Sequence, residues 1–181
     1  MELKAYCQNK LLKECQEIKA SERNVLHPEL NLYEKALIYK YSSDGYVELN
    51  KKLRSSKGKN STDFGKLLAN ALEKIDNYTS TVYRKVQLTK TQQKVYKEAL
   101  HNNSFVKEPT FSSTSKVRDL AMLFPGNTLF IINSKTGKDI EKITKFGYKD
   151  VHNEYEVLFL PNRKFEVLEF DNHNNGRNLI L

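Results

Sequence analysis

The stretch Thr81-Val82-Tyr83-Arg84-Lys85-Val86-Gln87-Leu88 is where the chain changes character. On an extended backbone, residues two apart share a face, so Val82, Arg84, Val86 and Leu88 point the same way. That face is apolar except for Arg84. Before this stretch the hydrophobic spacing is helical. After it, the segments 110–116, 127–133, 155–160 and 165–170 read as further strands. Helices followed by strands point to an α+β fold.

Working outward, residues 2–20 are predicted as one helix with Leu3, Cys7, Leu11, Cys15 and Ile18 near one face. Pro28 is placed to open a second helix carrying Leu30, Tyr33, Leu37, Ile38 and Tyr41. Ser42-Ser43-Asp44-Gly45 reads as a break, and 46–54 as a short third helix. A polar loop over 55–60 leads to Ser61, Thr62 and Asp63, candidate caps for a fourth helix bearing Phe64, Leu67, Leu68, Ala71, Leu72 and Ile75. Between the first two strands, 89–101 reads as a helix or a long loop. Pro161-Asn162-Arg163 is a short turn, and 177–181 reads as an edge strand.

The chain has 181 residues, 39% hydrophobic and 29% charged, which fits one folded domain over 1–181, with 1–25 as a helical extension. The longest apolar runs, 129–132 and 157–160, are too short to span a bilayer. Charged and apolar residues alternate from Met1 to Cys15, so no secretory signal is expected in this chain. The four histidines are scattered without metal-ligand spacing, so no metal is expected. The formal net charge is +8, but the lysines form no dense stripe and no aromatic ladder interleaves them. That argues against nucleic acid and suits an anionic dinucleotide or an acidic protein. On one continuous helix Cys7 and Cys15 would lie about 12 Å apart along the axis. They are expected as reduced, core-facing thiols.

Arg84 is not the only polar side chain on an apolar face. Ser113 alternates with Phe111, and Glu156 with Leu158 and Leu160. Arginine and glutamate are almost never fully buried unless paired. Bringing Arg84, Ser113 and Glu156 together in a cleft solves the problem; solvent-facing placement of each strand's polar side is the plain alternative. Glu154 lies two residues before Glu156, which on an extended chain is about 7 Å away on the same face. Two carboxylates at such spacing suit chemistry at a sugar carbon. One stabilises an oxocarbenium-like centre while the other handles the nucleophile.

In this order the pieces resemble the arginine–serine–glutamate class of bacterial ADP-ribosyltransferase toxins. Tyr83-Arg84 stands in the first strand, Phe111-Ser112-Ser113-Thr114-Ser115 matches the aromatic-x-Ser-Thr-Ser motif, and Glu154-Tyr155-Glu156 matches the Glu-x-Glu motif. The segment 36–50 with Leu53-Arg54 is similar to the helical part of binary actin-modifying toxins and Rho-modifying exoenzymes. The resemblance covers roughly 30–170. It implies helices packed on two facing, mostly antiparallel sheets that form an NAD cleft.

The same resemblance implies roles. Arg84 would bind the NAD phosphates and the Lys85 backbone would meet the nicotinamide amide. Asn50 and Arg54 would support the phosphate and adenosine side. Ser113 would position Glu156, and Thr114 and Ser115 would support the strand beside the nicotinamide. Glu156 would hold the nicotinamide ribose and stabilise the oxocarbenium. Glu154 would select arginine as acceptor, and 146–153 would recognise the target. A late-loop phosphate contact has two candidates, Arg118 and Phe124. The implied target is a protein with an acceptor arginine: actin, a small GTPase or a bacterial protein. The chain would be a secreted or injected effector acting in the target-cell cytosol. Two other readings stay open, an NAD glycohydrolase on the same fold and a non-enzymatic basic binding module.

Overall fold

Caps and breaks decide the helical part. The structure is a computed structural model that describes residues 2–173 and 176–181. The first predicted helix is two, α1 (Leu3–Lys10) and α2 (Leu12–Lys19), because Leu11 leaves helical geometry at φ −132, ψ 31. The bend brings the thiols of Cys7 and Cys15 into hydrogen-bonding contact, where a continuous helix would hold them apart. Both are free and buried, as expected for core thiols.

The next helix starts later than Pro28. Helix α3 (Leu32–Lys40) opens at Asn31, whose side chain accepts from the Tyr33 and Glu34 backbones while the Glu34 side chain accepts from the Asn31 backbone. This reciprocal capping satisfies donors that a proline start would leave open. Nor does Ser42-Ser43-Asp44-Gly45 break the chain. Tyr41–Gly45 form a π turn that runs directly into α4 (Tyr46–Ser55). Thr62 caps α5 (Asp63–Leu72) by accepting from the Gly65 backbone.

The strands follow as β1 (Asn77–Tyr78), β2 (Thr81–Val86), β3 (Phe105–Glu108), β4 (Ser112–Ser115), β5 (Thr128–Asn133), β6 (Gly137–Asp139), β7 (Glu156–Phe159), β8 (Arg163–Glu166), β9 (Glu169–His173) and β10 (Gly176–Ile180). Helix α6 (Lys90–His101) and the short α7 (Arg118–Leu123) lie between them. Eight strands join in the order β1-β6-β7-β4-β2-β5-β10-β9, while β3 and β8 pair separately. Pairing is antiparallel except between β5 and β10. Segment 165–170 is two strands rather than one, and the C-terminal strand is not an edge, since β10 is flanked by β5 and β9.

The large sheet has a weak middle. Strand β2 pairs with β5 through six residues but with β4 only through Tyr83↔Ser115. Two wings therefore splay from this junction, with one core packed against the N-terminal helices and a second shared between the wings. Phe111, Leu158 and Leu160 pack with Ile18, Leu37, Ile38 and Leu68 of the helices. Val82, Phe130, Ile132, Val157 and Phe159 pack with Tyr96 and Phe165 on the other side. Strand β7 is consequently buried on both faces, with Leu158 in one core and Val157 in the other. Each such large side chain contributes roughly 1.5–3 kcal/mol of burial.

Candidate active site

The splayed junction leaves a cavity of about 320 Å³. Strand β2 brings Tyr83, Arg84 and Lys85 to its wall, β4 brings Ser113, Thr114 and Ser115, and the entry to β7 brings Glu154 and Glu156. The three polar residues singled out by alternation thus meet. They do not come from one apolar face, however. Arg84 alternates with Val82 of the second core, whereas Ser113 and Glu156 alternate with Phe111 and Leu158 of the first. The single-pair junction lets the two faces converge.

Their contacts are specific. An Arg84 Nη1 donates to the Ser113 carbonyl oxygen at 2.6 Å. Ser113 pairs in register with Leu158, so Glu156 is its diagonal neighbour, within side-chain reach. The Ser113 side chain hydrogen-bonds the Glu156 carboxyl. Glu156 is 3% exposed. Burial pushes its carboxyl up to about 7, with the nearby Glu154 adding to the rise and the Ser113 bond and Arg84 charge opposing it. Burial also raises Glu154.

Glu154 reaches the cavity by a different route from the one alternation suggests. The strand begins only at Glu156, and Tyr155 between them is left-handed at φ 49. A non-glycine residue in that region is uncommon and costs roughly 1–2 kcal/mol. It is held there by neighbours: Glu154 N–H donates to the Phe146 carbonyl at 2.9 Å and the Ser115 hydroxyl donates to the Glu154 carbonyl at 2.8 Å. Backbone ties, not a shared strand face, place both carboxylates on one cavity.

Of the remaining candidates, Asn50 lines the cavity but its amide is engaged. Its Nδ2 donates to the Phe111 carbonyl at 3.2 Å and its Oδ1 accepts from Phe111 N–H at 3.1 Å. It anchors the approach to β4. Thr114 donates to the Val157 carbonyl at 2.7 Å, tying β4 to β7. Phe124 is half-exposed on the cavity wall, whereas Arg118 is exposed and does not line it. Arg54 lies elsewhere, on an adjoining cavity of about 540 Å³ that shares Arg84 and Lys85 with the first. Two lobes meeting at a cation suit a dinucleotide, whose diphosphate joins two nucleosides. No cluster of metal-ligating residues exists among the described residues.

Sequence reasoning missed the π turn. Tyr41, Ser42, Ser43 and Tyr46 all line the cavity. Tyr41, 1% exposed, packs against Phe111 with ring centroids 5.6 Å apart. Burial, with the Glu156 charge, pushes its hydroxyl up to about 12, so it stays a neutral donor beside the carboxylate. Helical spacing marked Tyr41 as core, and nothing in the pattern signals the wider turn that swings its neighbours into the cleft.

Arginine, serine and paired carboxylates around a dinucleotide-sized cleft define a class of glycosyl-transfer enzymes, and the family comparison agrees. Residues 13–181 match the family model for NAD:arginine ADP-ribosyltransferase, and the chain belongs to that family. Among curated proteins it is similar to one of Mycobacterium avium (strain 104) named "Putative NAD(+)--arginine ADP-ribosyltransferase Mav", 32% identical over 150 residues. That match takes in 79% of this chain but only 16% of Mav. Three solved structures share the fold. HopU1 of Pseudomonas syringae pv. tomato DC3000 has a TM-score of 0.78 at 20% identity, covering 94% of this chain and 85% of that one. Exoenzyme S of Pseudomonas aeruginosa, solved with human 14-3-3 protein beta and carba-NAD, has a TM-score of 0.77 at 15% identity, covering 98% and 85%. Vis of Vibrio splendidus, solved with agmatine, has a TM-score of 0.65 at 22% identity, covering 95% and 83%.

Proposed function

We propose that this chain transfers ADP-ribose from NAD to an arginine side chain of a target protein, releasing nicotinamide. The observation that carries the reading is the convergence of Arg84 from β2, Ser113 from β4, Glu156 from β7 and Glu154 from the loop before it on one cavity. Arg84 sits where the two cavities meet and holds the diphosphate with its forked donors. Arg54, on the second cavity, serves the adenosine side. Ser113 and Tyr41 orient Glu156. The Glu156 carboxylate accepts from the nicotinamide-ribose hydroxyl and opposes the positive charge that builds at the anomeric carbon. The bond from that carbon to the nicotinamide nitrogen breaks and its electron pair leaves with nicotinamide. Glu154 pairs with the incoming guanidinium and takes its proton as the new carbon–nitrogen bond forms. Exoenzyme S was solved bound to carba-NAD and Vis in complex with agmatine, a guanidine, and ligands of these two kinds are what the reading requires.

The site of action is the cytosol of a target cell. The target presents an exposed arginine to the loop 146–153, where Tyr148 and Val151 are exposed. Actin is the first candidate to test, because the Glu-x-Glu motif and segment 36–50 resemble actin-modifying toxins. The decisive experiment incubates the protein with labelled NAD and eukaryotic cell lysate. A labelled band that Glu156→Gln abolishes, mapped to arginine by mass spectrometry, is expected. Nicotinamide release with no labelled protein would make water the acceptor; no release at all would overturn the reading.

A further inference from the structure

Beside the cavity stands a half-buried ionic cluster that the chemistry above does not use. Lys116, the residue after β4, donates from Nζ to an Asp139 carboxylate oxygen at 2.5 Å and to Glu141 Oε2 at 2.9 Å. The other Glu141 oxygen accepts from Asn153 Nδ2 at 2.8 Å. Asn153 Oδ1 in turn accepts from the Tyr155 backbone N–H at 2.8 Å. On the far side, Lys116 N–H donates to the Tyr155 carbonyl at 3.0 Å. Tyr155 is therefore gripped at both its N–H and its carbonyl by one network centred on Glu141.

That grip matters because of where Tyr155 stands. Its left-handed backbone sets the direction in which Glu154 leaves the loop and Glu156 enters β7. A left-handed non-glycine persists only where its surroundings over-determine it. Glu141 and Lys116 are well suited to that task. Their side chains are 15% and 20% exposed. Neither residue lines the cavity. Burial opposes ionisation of both, but the hydrogen bonds outweigh it, holding Lys116 above and Glu141 below their usual ranges, so the pair stays charged.

We infer that Glu141, with Lys116 and Asn153, is a positioning unit for Glu154 that sets how much of the ADP-ribose goes to a guanidine rather than to water. Glu141 and Lys116 stand outside the cavity, and Asn153, at the end of loop 146–153, links them to Tyr155. It acts by fixing Tyr155, and so the angle of the Glu154 carboxylate, while Glu156 stays anchored by its β7 pairing with Ser115. This inference rests on the reading that Glu154 serves the guanidine acceptor.

The test compares the full chain with Glu141→Ala, Asn153→Ala and Glu154→Gln. Transfer to agmatine and acceptor-free NAD hydrolysis are measured separately, with the melting temperature of each variant. Asn153→Ala removes the same tie from a loop and leaves the half-buried charges intact, so it keeps the test valid if Glu141→Ala does not fold. Both alanine variants are expected to lower the transfer-to-hydrolysis ratio about tenfold or more, with the NAD KM within about twofold of the parent. A purely structural role would lower both reactions alike. An unchanged ratio in Asn153→Ala, while Glu154→Gln splits transfer from hydrolysis, overturns the positioning role and leaves the Glu154 reading standing. If Glu154→Gln lowers both reactions equally, the Glu154 reading fails and the inference falls with it.

Discussion

Replacing Glu156 by glutamine should stabilise the folded protein at pH 8 while it removes activity. The carboxyl is 3% exposed and burial is the main force raising it from 4.5 to about 7. An acid whose folded-state pKa lies above its unfolded value favours the protonated form in the fold. Its stabilising contribution is complete below about pH 4.5 and is lost as pH rises through about 7. A rise of that size corresponds to about 3 kcal/mol at high pH, at about 1.4 kcal/mol per unit. The parent should therefore lose about 2–3 kcal/mol relative to Glu156→Gln between pH 5 and pH 8. Urea unfolding of both proteins at the two pH values measures this, because most other titrating groups cancel in the difference. In parallel, kcat/KM for NAD hydrolysis by the parent should climb up to about pH 7 and level off above it. A parent–variant difference that is the same at pH 5 and pH 8 would refute the reasoning. It would mean that Glu156 enters the fold ionised, fully compensated by Ser113 and Arg84.

Arg84→Met should raise the Kd for NAD by at least about tenfold, since charged hydrogen bonds contribute roughly 1.5–3 kcal/mol. It should also move the pH–rate midpoint upward, as Glu156 loses its opposing cation. Calorimetric titration and the pH profile check the two effects; unchanged NAD affinity counts against the proposed diphosphate site. Gly147→Ala should destabilise the chain by about 1–3 kcal/mol. An added Cβ there would stand 1.8 Å from the Glu141 carbonyl oxygen, so the loop carrying Phe146 must shift. Thermal melts and agmatine transfer should both fall, and a neutral result would show that the loop is not held as described. Burial, with the neighbouring Cys15, pushes the Cys7 thiol up to about 12. Its reaction with a disulfide reagent at pH 8 should be at least about a hundredfold slower in the native state than in urea. Equal rates would place Cys7 outside the core.

The sequence made the candidate site legible because a buried charge is expensive. Arg84, Ser113 and Glu156 stood out as polar residues on apolar alternations, and the structure brings them to one cavity. The α5 cap at Thr62 and the strands 81–86 and 128–133 were readable from local pattern for the same kind of reason. The short strands β1, β3 and β6 were not readable. Two to four residues carry too little periodicity, and their partners lie far away in sequence, as in Lys138↔Leu158 and Phe105↔Glu166. Segment 41–45 misled because Ser, Asp and Gly are turn formers locally, yet packing of Tyr41 against Phe111 rewards a continuous, widened helix instead.

By itself the sequence determined an α+β chain, the identity of the charged residues that needed partners, and through its ordered motifs the family. Those properties depend on side-chain chemistry and on near neighbours. Tertiary structure alone decided that the sheet opens at a single residue pair, so that Arg84 from one wing faces Glu156 from the other. It alone decided that Glu154 joins Glu156 through a left-handed Tyr155 held by Ser115, Lys116 and Asn153 rather than through an extended strand. Both outcomes depend on contacts between segments thirty to forty residues apart, Tyr83 with Ser115, Ser115 with Glu154 and Lys116 with Tyr155, and no local pattern encodes which distant donor will meet which carbonyl.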